Sequence, residues 1–431
     1  MRPKLIPCPL VSPTEAVTAE YPGGMPIGNL RRILPTLKSI SLLTAFAGII
    51  SLTSLSVRAQ CPVIELTSGL RIPLGITQSN QRNLLVSEAG TRAPNTGRIS
   101  IVDLGGHRRT LLDGLPSGIN DVNEPSGAAG LFIRGRTLYV AIGVGDVAIA
   151  GPLPGTSLPN PNPPSSPIFS SILAIHFSAS VEQTTEGLTL TLAHQQALAN
   201  GEKVTLSNGA GDRLTVELIA NFPDSTPNPL PLVPANVRLS NPFDLVVVDD
   251  QAYVTDGGGN MIRQVAMPTG AFSTLAVFPA IPNPLFNPTP PPPSVGGPFI
   301  EAVPTGIRYA DGQLLVTLFS GAPFAPGTSQ VQAVDPLTGD QAPFITGLKT
   351  AIDVLPIREG DSVDYLVLEH ASSGLFFGSP GLVLGFDAPW ASPAVIADCL
   401  ARPTSMALDE QTGILYVTEY AGRLVALPVA P

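Results

Sequence analysis

Residues 241–265 read NPFDLVVVDDQAYVTDGGGNMIRQV: two apolar runs flank a polar turn, and the second stops on Asp256 before three glycines. Short apolar runs bounded by Gly, Pro, Asn and Asp signal strands, and a tight polar turn between two of them reads as a hairpin. The pattern recurs as PLGITQSNQRNLLVSEAG, AAGLFIRGRTLYVAIGVGD, PTGIRYADGQLLVTLFSG, AIDVLPIREGDSVDYLVLEHASSG and PTSMALDEQTGILYVTEYAGRLVAL. Each of the first five units in chain order continues into further strand-like runs, such as GRISIVDL and SSILAIHF. The last unit lacks a fourth strand, while CPVIELTSGL near the front of the folded region has no unit before it. Residues 63–66 are therefore expected to complete the last unit, a closure that leaves no open sheet edge. A four-stranded unit repeating about every 45–60 residues is a propeller blade. The expected fold is all-β, a six-bladed β-propeller over residues 60–431 with the N-terminal strand closing the last blade.

Three proline-rich stretches, 151–167, 222–236 and 278–298, interrupt the pattern. Proline cannot donate to a central ladder, so these are expected as loops between strands and blades. A further insertion at 186–220 alternates apolar and polar residues around SNGAGD and is expected as a small hairpin on the second blade.

Composition agrees: 42 Gly and 47 Pro among 431 residues, 44% hydrophobic and 13% charged, suit many short strands and turns. The net charge of −10 comes without a basic stripe, which excludes nucleic acid as an expected partner.

The front of the chain reads as a targeting segment. Arg31, Arg32 and Lys38 precede an apolar stretch over 39–57, and Val57-Arg58-Ala59 fits a small-residue cleavage site. Residues 1–59 are therefore expected as an N-terminal extension and signal peptide, with Met25 a plausible start. Cleavage would leave no membrane span and an exported protein, periplasmic or extracellular. An oxidising compartment allows a Cys61–Cys399 disulfide that staples the ring closure.

Candidate chemistry gathers where the strands begin and end. The second strands end on Glu88, Ile142, Asp256, Leu318, Glu369 and Glu419, and the first strands begin with Gly75, Gly130, Asp244, Gly306, Asp353 and Ser405. Antiparallel pairing puts both sets on one rim of the channel. Glycines there would let backbone approach whatever fills the mouth, and carboxylates facing one cavity would need a cation, a proton or a basic partner. Rim candidates are Glu88, Asp244, Asp256, Asn260, Asp353, Glu369, His370 and Glu419. Glu88, Asp256 and Glu419 could hold Ca2+, a cation that takes hard oxygen ligands; the same groups could instead cap backbone amides or meet a cationic ligand. His107, His176 and His194 show no metal-ligand spacing, whereas His370 adjoins the rim as a candidate general base. Trp390 reads as a packing residue. No nucleophile elbow, Walker loop or C-x-x-C motif is present.

NLLVSEAG…GRISIVDL, NPFDLVVVDDQAYVTDGGGNMIRQV…TLAVFP, AVPTGIRYADGQLLVTLFSGAPFAPGTSQV and NGEKVTLSNGAGDRLTVELIANFPD together resemble the ScyD/ScyE family over nearly all of residues 61–431. The resemblance implies an exported NHL-like propeller and no particular reaction, since that family is named for its place beside pigment genes. The expected function is a noncatalytic binding or accessory protein that takes a small molecule or protein at its axial rim. The alternative is a divalent-cation-dependent lactonase or esterase with an axial pocket, to which calcium-dependent six-bladed lactonases are a looser analogy.

Overall fold

A computed structural model describes residues 63–289, 294–360 and 362–429. Among the described residues, six sheets are blades around a central channel and three more are two-stranded. Blade 1 runs Pro73–Gln78, Leu84–Glu88, Gly97–Val102 and Arg108–Leu115 from the channel outward. Blade 2 runs Pro125–Arg134, Thr137–Ile142, Ser171–Phe177 and Arg213–Asn221. Blade 3 is Pro242–Val248, Gln251–Asp256, Met261–Ala266 and Ala271–Val277, and blade 4 is Pro304–Ala310, Gln313–Leu318, Ser329–Val334 and Gln341–Leu348. Blade 5 is Ala351–Glu359, Ser362–Glu369, Gly381–Phe386 and Ala394–Leu400. Blade 6 takes Pro403–Asp409, Ile414–Glu419 and Arg423–Pro428, and Ile64–Ser68 is its outermost strand, antiparallel to Arg423–Pro428 with Ile64 opposite Ala426. The ring closes as the orphan strand required, with a strand that begins one residue later and ends two residues later than 63–66.

The apolar runs are unbroken because each blade is buried on both faces. Successive side chains of a strand point to opposite faces. Leu85 packs toward blade 2, while its neighbours Leu84 and Val86 pack toward blade 6. Buried clusters fill the space between every adjacent pair of blades in this way.

Two expectations need correction. The 186–220 insertion does contain a hairpin, Val204–Ser207 against Arg213–Asn221, but its second arm is the fourth strand of blade 2 itself. The rest carries a helix, Leu192–Ala199, opened by Thr191 accepting from the His194 amide, and a short strand, Leu188–Thr189, that runs parallel to the edge of blade 1. Helix-forming residues at 192–199 and a threonine cap outweigh the alternation there. Trp390 does not pack: it is 87% exposed, in the loop between the third and fourth strands of blade 5. Cys399 is disulfide-bonded; Cys61, its expected partner, lies outside the described residues, as do the leader segment and its cleavage site. Among the described residues no helix is long and apolar enough to cross a membrane.

The mouth of the channel as a candidate binding site

Every blade starts with the same irregularity. The first residue of the inner strand to pair with the second strand lies opposite the residue that ends that second strand: Pro73 opposite Glu88, Ala128 opposite Ile142, Pro242 opposite Asp256, Pro304 opposite Leu318, Ala351 opposite Glu369 and Pro403 opposite Glu419. In all six, the register then slips by a β-bulge. A bulge re-aims the side chain it inserts. Here it turns Leu74, Ala129, Phe243, Ile352 and Thr404 into the floor of a pocket of about 200 Å3 at the mouth.

Just before the first strand, Ile72, Val303, Thr350 and Arg402 adopt left-handed backbone with φ of 55°, 53°, 46° and 53°. Such a conformation costs about 1–3 kcal/mol for a residue with a Cβ and persists only where its surroundings enforce it. For Ile72, Thr350 and Arg402 a strand-ending carboxylate supplies part of that enforcement by holding the amide of the residue before, and for Val303 the side chain of Asn260 holds its own amide. Glu88 accepts from the Arg71 amide at 2.5 Å, Glu369 from the Lys349 amide at 2.8 Å and Glu419 from the Ala401 amide at 2.7 Å. Asp256 does the same for Asn241 at 2.7 Å and also accepts from the Gly259 amide, Ser240 Oγ and Arg263 Nε. Thus Asp256 ends its strand in order to clamp the start of the neighbouring one, and residues 257–259 bring the Gly259 amide back to it.

Of the two roles expected for Glu88, Asp256 and Glu419, a shared cation site or caps on backbone amides, the geometry matches the caps. They belong to three different blades, are fully buried, and give their oxygens to local donors, with Ser100 completing Glu88 and Arg423 completing Glu419. Among the described residues no group of three or more acidic, His or Cys side chains is arranged to hold a metal ion. The donor set does not fit Ca2+.

Asp244 and Asp353 do meet a common partner, Arg308 of blade 4, whose Nη1 lies 2.7 Å from Asp244 Oδ2 and whose Nη2 lies 2.8 Å from Asp353 Oδ2. Asp244 also accepts from the Ile307 amide, and Asp353 from Ser405 Oγ and the Met406 amide. The triad ties blades 3 to 6 together around the channel wall. Burial pushes Asp244 up to about 6, against the pull of Arg308, and raises Asp353 as well. Glycine at the matching positions serves the neighbouring blade, not a ligand. A Cβ on Gly130 would stand 2.4 Å from Asp244 Cα, and one on Gly306 would stand 2.8 Å from Asp353 Cα. Asn260 is likewise turned to structure, accepting the Val303 amide and donating to Glu301.

One repeated device went unread in the sequence. The residue before the strand-ending carboxylate is Ser87, Thr255 or Thr418, with Thr317 in the same place ahead of Leu318. Ser87 donates to the Ala129 carbonyl of the next blade, Thr255 to that of Thr305, and Thr317 to that of Ile352 at 3.2 Å. Across the closure, Thr404 donates to Pro73 at 2.8 Å and pairs with Thr418. The signal available was the Ser/Thr–Asp/Glu pair at the ends of three second strands.

The residue after the strand end sets the shape of the mouth. It is Ala89, Gly143 and Gly257 in blades 1 to 3, but Phe319, His370 and Tyr420 in blades 4 to 6. The pocket is accordingly walled on one side by aromatic rings. Phe377 packs edge-on to His370 at 4.9 Å and stacks on Phe324 at 4.6 Å between centroids. Lys349 Nζ fixes the Phe377 loop by donating to the Ser373 and Phe376 carbonyls at 2.6 and 3.0 Å. His370 is held at both nitrogens: Nδ1 donates to the Pro403 carbonyl at 2.8 Å, and Nε2 accepts from Arg402 Nε at 3.0 Å. Burial lowers its pKa to about 4, and the Arg402 and Lys349 charges add to that. Burial raises its neighbour Glu369 to about 7. Arg402 was not singled out from the sequence, yet it bridges Phe377 and Tyr420, its Cζ 4.8 and 4.4 Å from their ring centroids.

No family model matches the chain, and no curated protein does. Among solved structures it is similar to a streptogramin B lyase, 15% identical over 85% of this chain and 97% of that one, with a TM-score of 0.41. It is also similar to a gluconolactonase from Xanthomonas campestris (12% identical, 86% and 91% covered, TM-score 0.45). A third is the PQQ-bound aldose sugar dehydrogenase from Streptomyces coelicolor (14% identical, 85% and 96% covered, TM-score 0.46). The neighbours are six-bladed propeller-type proteins. At such identities the likeness carries nothing about reaction or ligand, which must be argued from the residues of this chain.

Proposed function

We propose that this protein is an exported, noncatalytic propeller of the ScyD/ScyE type that binds a small molecule at the mouth of its channel. The supporting observation is the state of His370. A general base needs a free lone pair and a pKa near the working pH. Both ring nitrogens of His370 are engaged, and the ring stays neutral down to about pH 4. The rim carboxylates that a metal-dependent lactonase would need are bound to their own blades. What the mouth offers is an apolar floor, aromatic walls and a few convergent polar groups, the usual make-up of a small-molecule site. Export and the ScyD/ScyE assignment rest on the leader segment and on the sequence motifs.

The test pairs a fragment screen by thermal shift with hydrolysis assays on lactones and esters between pH 6 and 8. Fragments are expected to raise the melting temperature of the protein but not of Phe377→Ala, with no turnover above the buffer rate. Turnover that scales with protein and disappears in His370→Gln would overturn the proposal.

A further inference from the structure

One polar group at the mouth has unused capacity. Arg402 Nε is bound to His370, and the guanidinium plane is fixed between Phe377 and Tyr420. Among the described residues neither Nη1 nor Nη2 donates a hydrogen bond. The nearest carboxylate oxygen, Glu124 Oε1, is 3.8 Å from Nη2, beyond hydrogen-bonding reach. Apart from this long ion pair, the end-on pair of Nη donors is preset and open to solvent, at the edge of a pocket whose floor is Leu74, Phe243 and Ile352.

A planar guanidinium with two parallel N–H groups matches a carboxylate in both spacing and charge. Its orientation here needs no ligand: the Glu419 clamp on Ala401 and the left-handed backbone of Arg402 set it in advance. Preset donors lose little entropy on binding. The pocket, about 200 Å3, is below the roughly 300–1,000 Å3 of sites for drug-sized ligands, so it suits a single ring with its substituent.

We propose that the mouth binds a small aromatic carboxylate, its carboxylate on the Nη pair of Arg402 and its ring on the floor of Leu74, Phe243 and Ile352, beside Phe319 and Phe377. This deepens the reading of the mouth as a binding site and rests on it. Glu124 is the natural competitor for Arg402; it is partly exposed and makes only the long contact, so a ligand carboxylate displaces it without breaking a hydrogen bond.

The experiment is calorimetric titration of the full protein with benzoate, benzamide and acetate, repeated on Arg402→Lys, Phe377→Ala and Glu124→Gln. A charge-assisted hydrogen bond contributes about 1.5–3 kcal/mol, so benzoate should bind roughly tenfold or more tightly than benzamide. Acetate should bind negligibly. Arg402→Lys should weaken benzoate about tenfold and benzamide markedly less, and Glu124→Gln, at a half-exposed carboxylate, should tighten benzoate. Equal affinities for benzoate and benzamide, both lost in Phe377→Ala, would overturn the carboxylate inference while leaving the mouth as a binding site. Binding of neither ring compound, or binding unaffected by Phe377→Ala, would overturn both.

Discussion

Replacing Arg308 with methionine keeps most of the side-chain volume and removes the one cation between Asp244 and Asp353. Arg308 is only 21% exposed, and the two carboxylates less than half that. Removing one partner of a buried ion pair costs about 3–5 kcal/mol, because the other charge is left uncompensated. For a folded unit of roughly 360 residues, an unfolding entropy of about 2.1 cal/mol/K per residue converts about 4 kcal/mol into a fall of about 5 °C in Tm. The pH dependence gives the loss a signature. Asp244 is raised from 3.8 to about 6 in the folded protein, so its favourable contribution is complete below about 3.8 and is lost as pH rises through about 6. Without Arg308 both carboxylates rise further, and at acid pH both take protons and no longer need the cation. Arg308→Met should therefore melt about 5 °C below the parent at pH 7.5 and much closer to it at pH 4.5. Adding Asp244→Asn should recover part of the loss at pH 7.5. The assay is thermal unfolding followed by circular dichroism at both pH values. A loss under about 1 °C at pH 7.5, or one equal at the two pH values, would refute the triad as a charge-balanced tie between blades.

Other outcomes follow from the mouth. Glu419→Leu should cost about 1–3 kcal/mol by removing the buried acceptor of the Ala401 amide and Arg423, and should weaken ligand binding through Arg402; chemical denaturation and titration check the two effects. His370 should show a single Nδ1–H tautomer by 1H–15N NMR from pH 8 down to about 5. Its stabilising contribution is present above about 6.5 and lost as pH falls through about 4, whereas that of Glu369 is present below about 4.5 and lost as pH rises through about 7. The two slopes oppose each other, so the stability of Glu369→Gln relative to the parent should climb with pH between about 4.5 and 6.5. Gly130→Ala forces a Cβ within 2.2 Å of Asp244 Oδ1 and should cost about 3 kcal/mol or abolish folding, read by denaturation or soluble yield.

The blades were legible because burial on both faces leaves long apolar runs, and because a ring needs its orphan strand. The rim was legible as a set of positions but not as chemistry. A carboxylate at a strand end looks the same in sequence whether it faces a cavity or clamps an amide. The difference lies in the bulge and left-handed residue of the preceding segment, at Ile72, Val303, Thr350 and Arg402, none of which is a residue type that announces φ above zero. Arg402 stayed hidden for the same reason: its role depends on Phe377 and Tyr420, from different blades. Inter-blade hydroxyls such as Thr255 were readable only as a pair with the next residue. Trp390 misled because aromatic residues are mostly buried, and a loop tip exempts one from that tendency.

The rim carboxylates are engaged within their own blades and, among the described residues, leave no shared site for a cation. Thermal unfolding of the protein in EDTA and then in millimolar calcium tests this most directly. A cation at about 100 times its dissociation constant would stabilise a specific site by about 2.7 kcal/mol. The expected result is superimposed melts, with Glu88→Gln and Glu419→Gln lowering Tm equally in both conditions. A calcium-dependent rise of several degrees that either substitution abolishes would contradict the account.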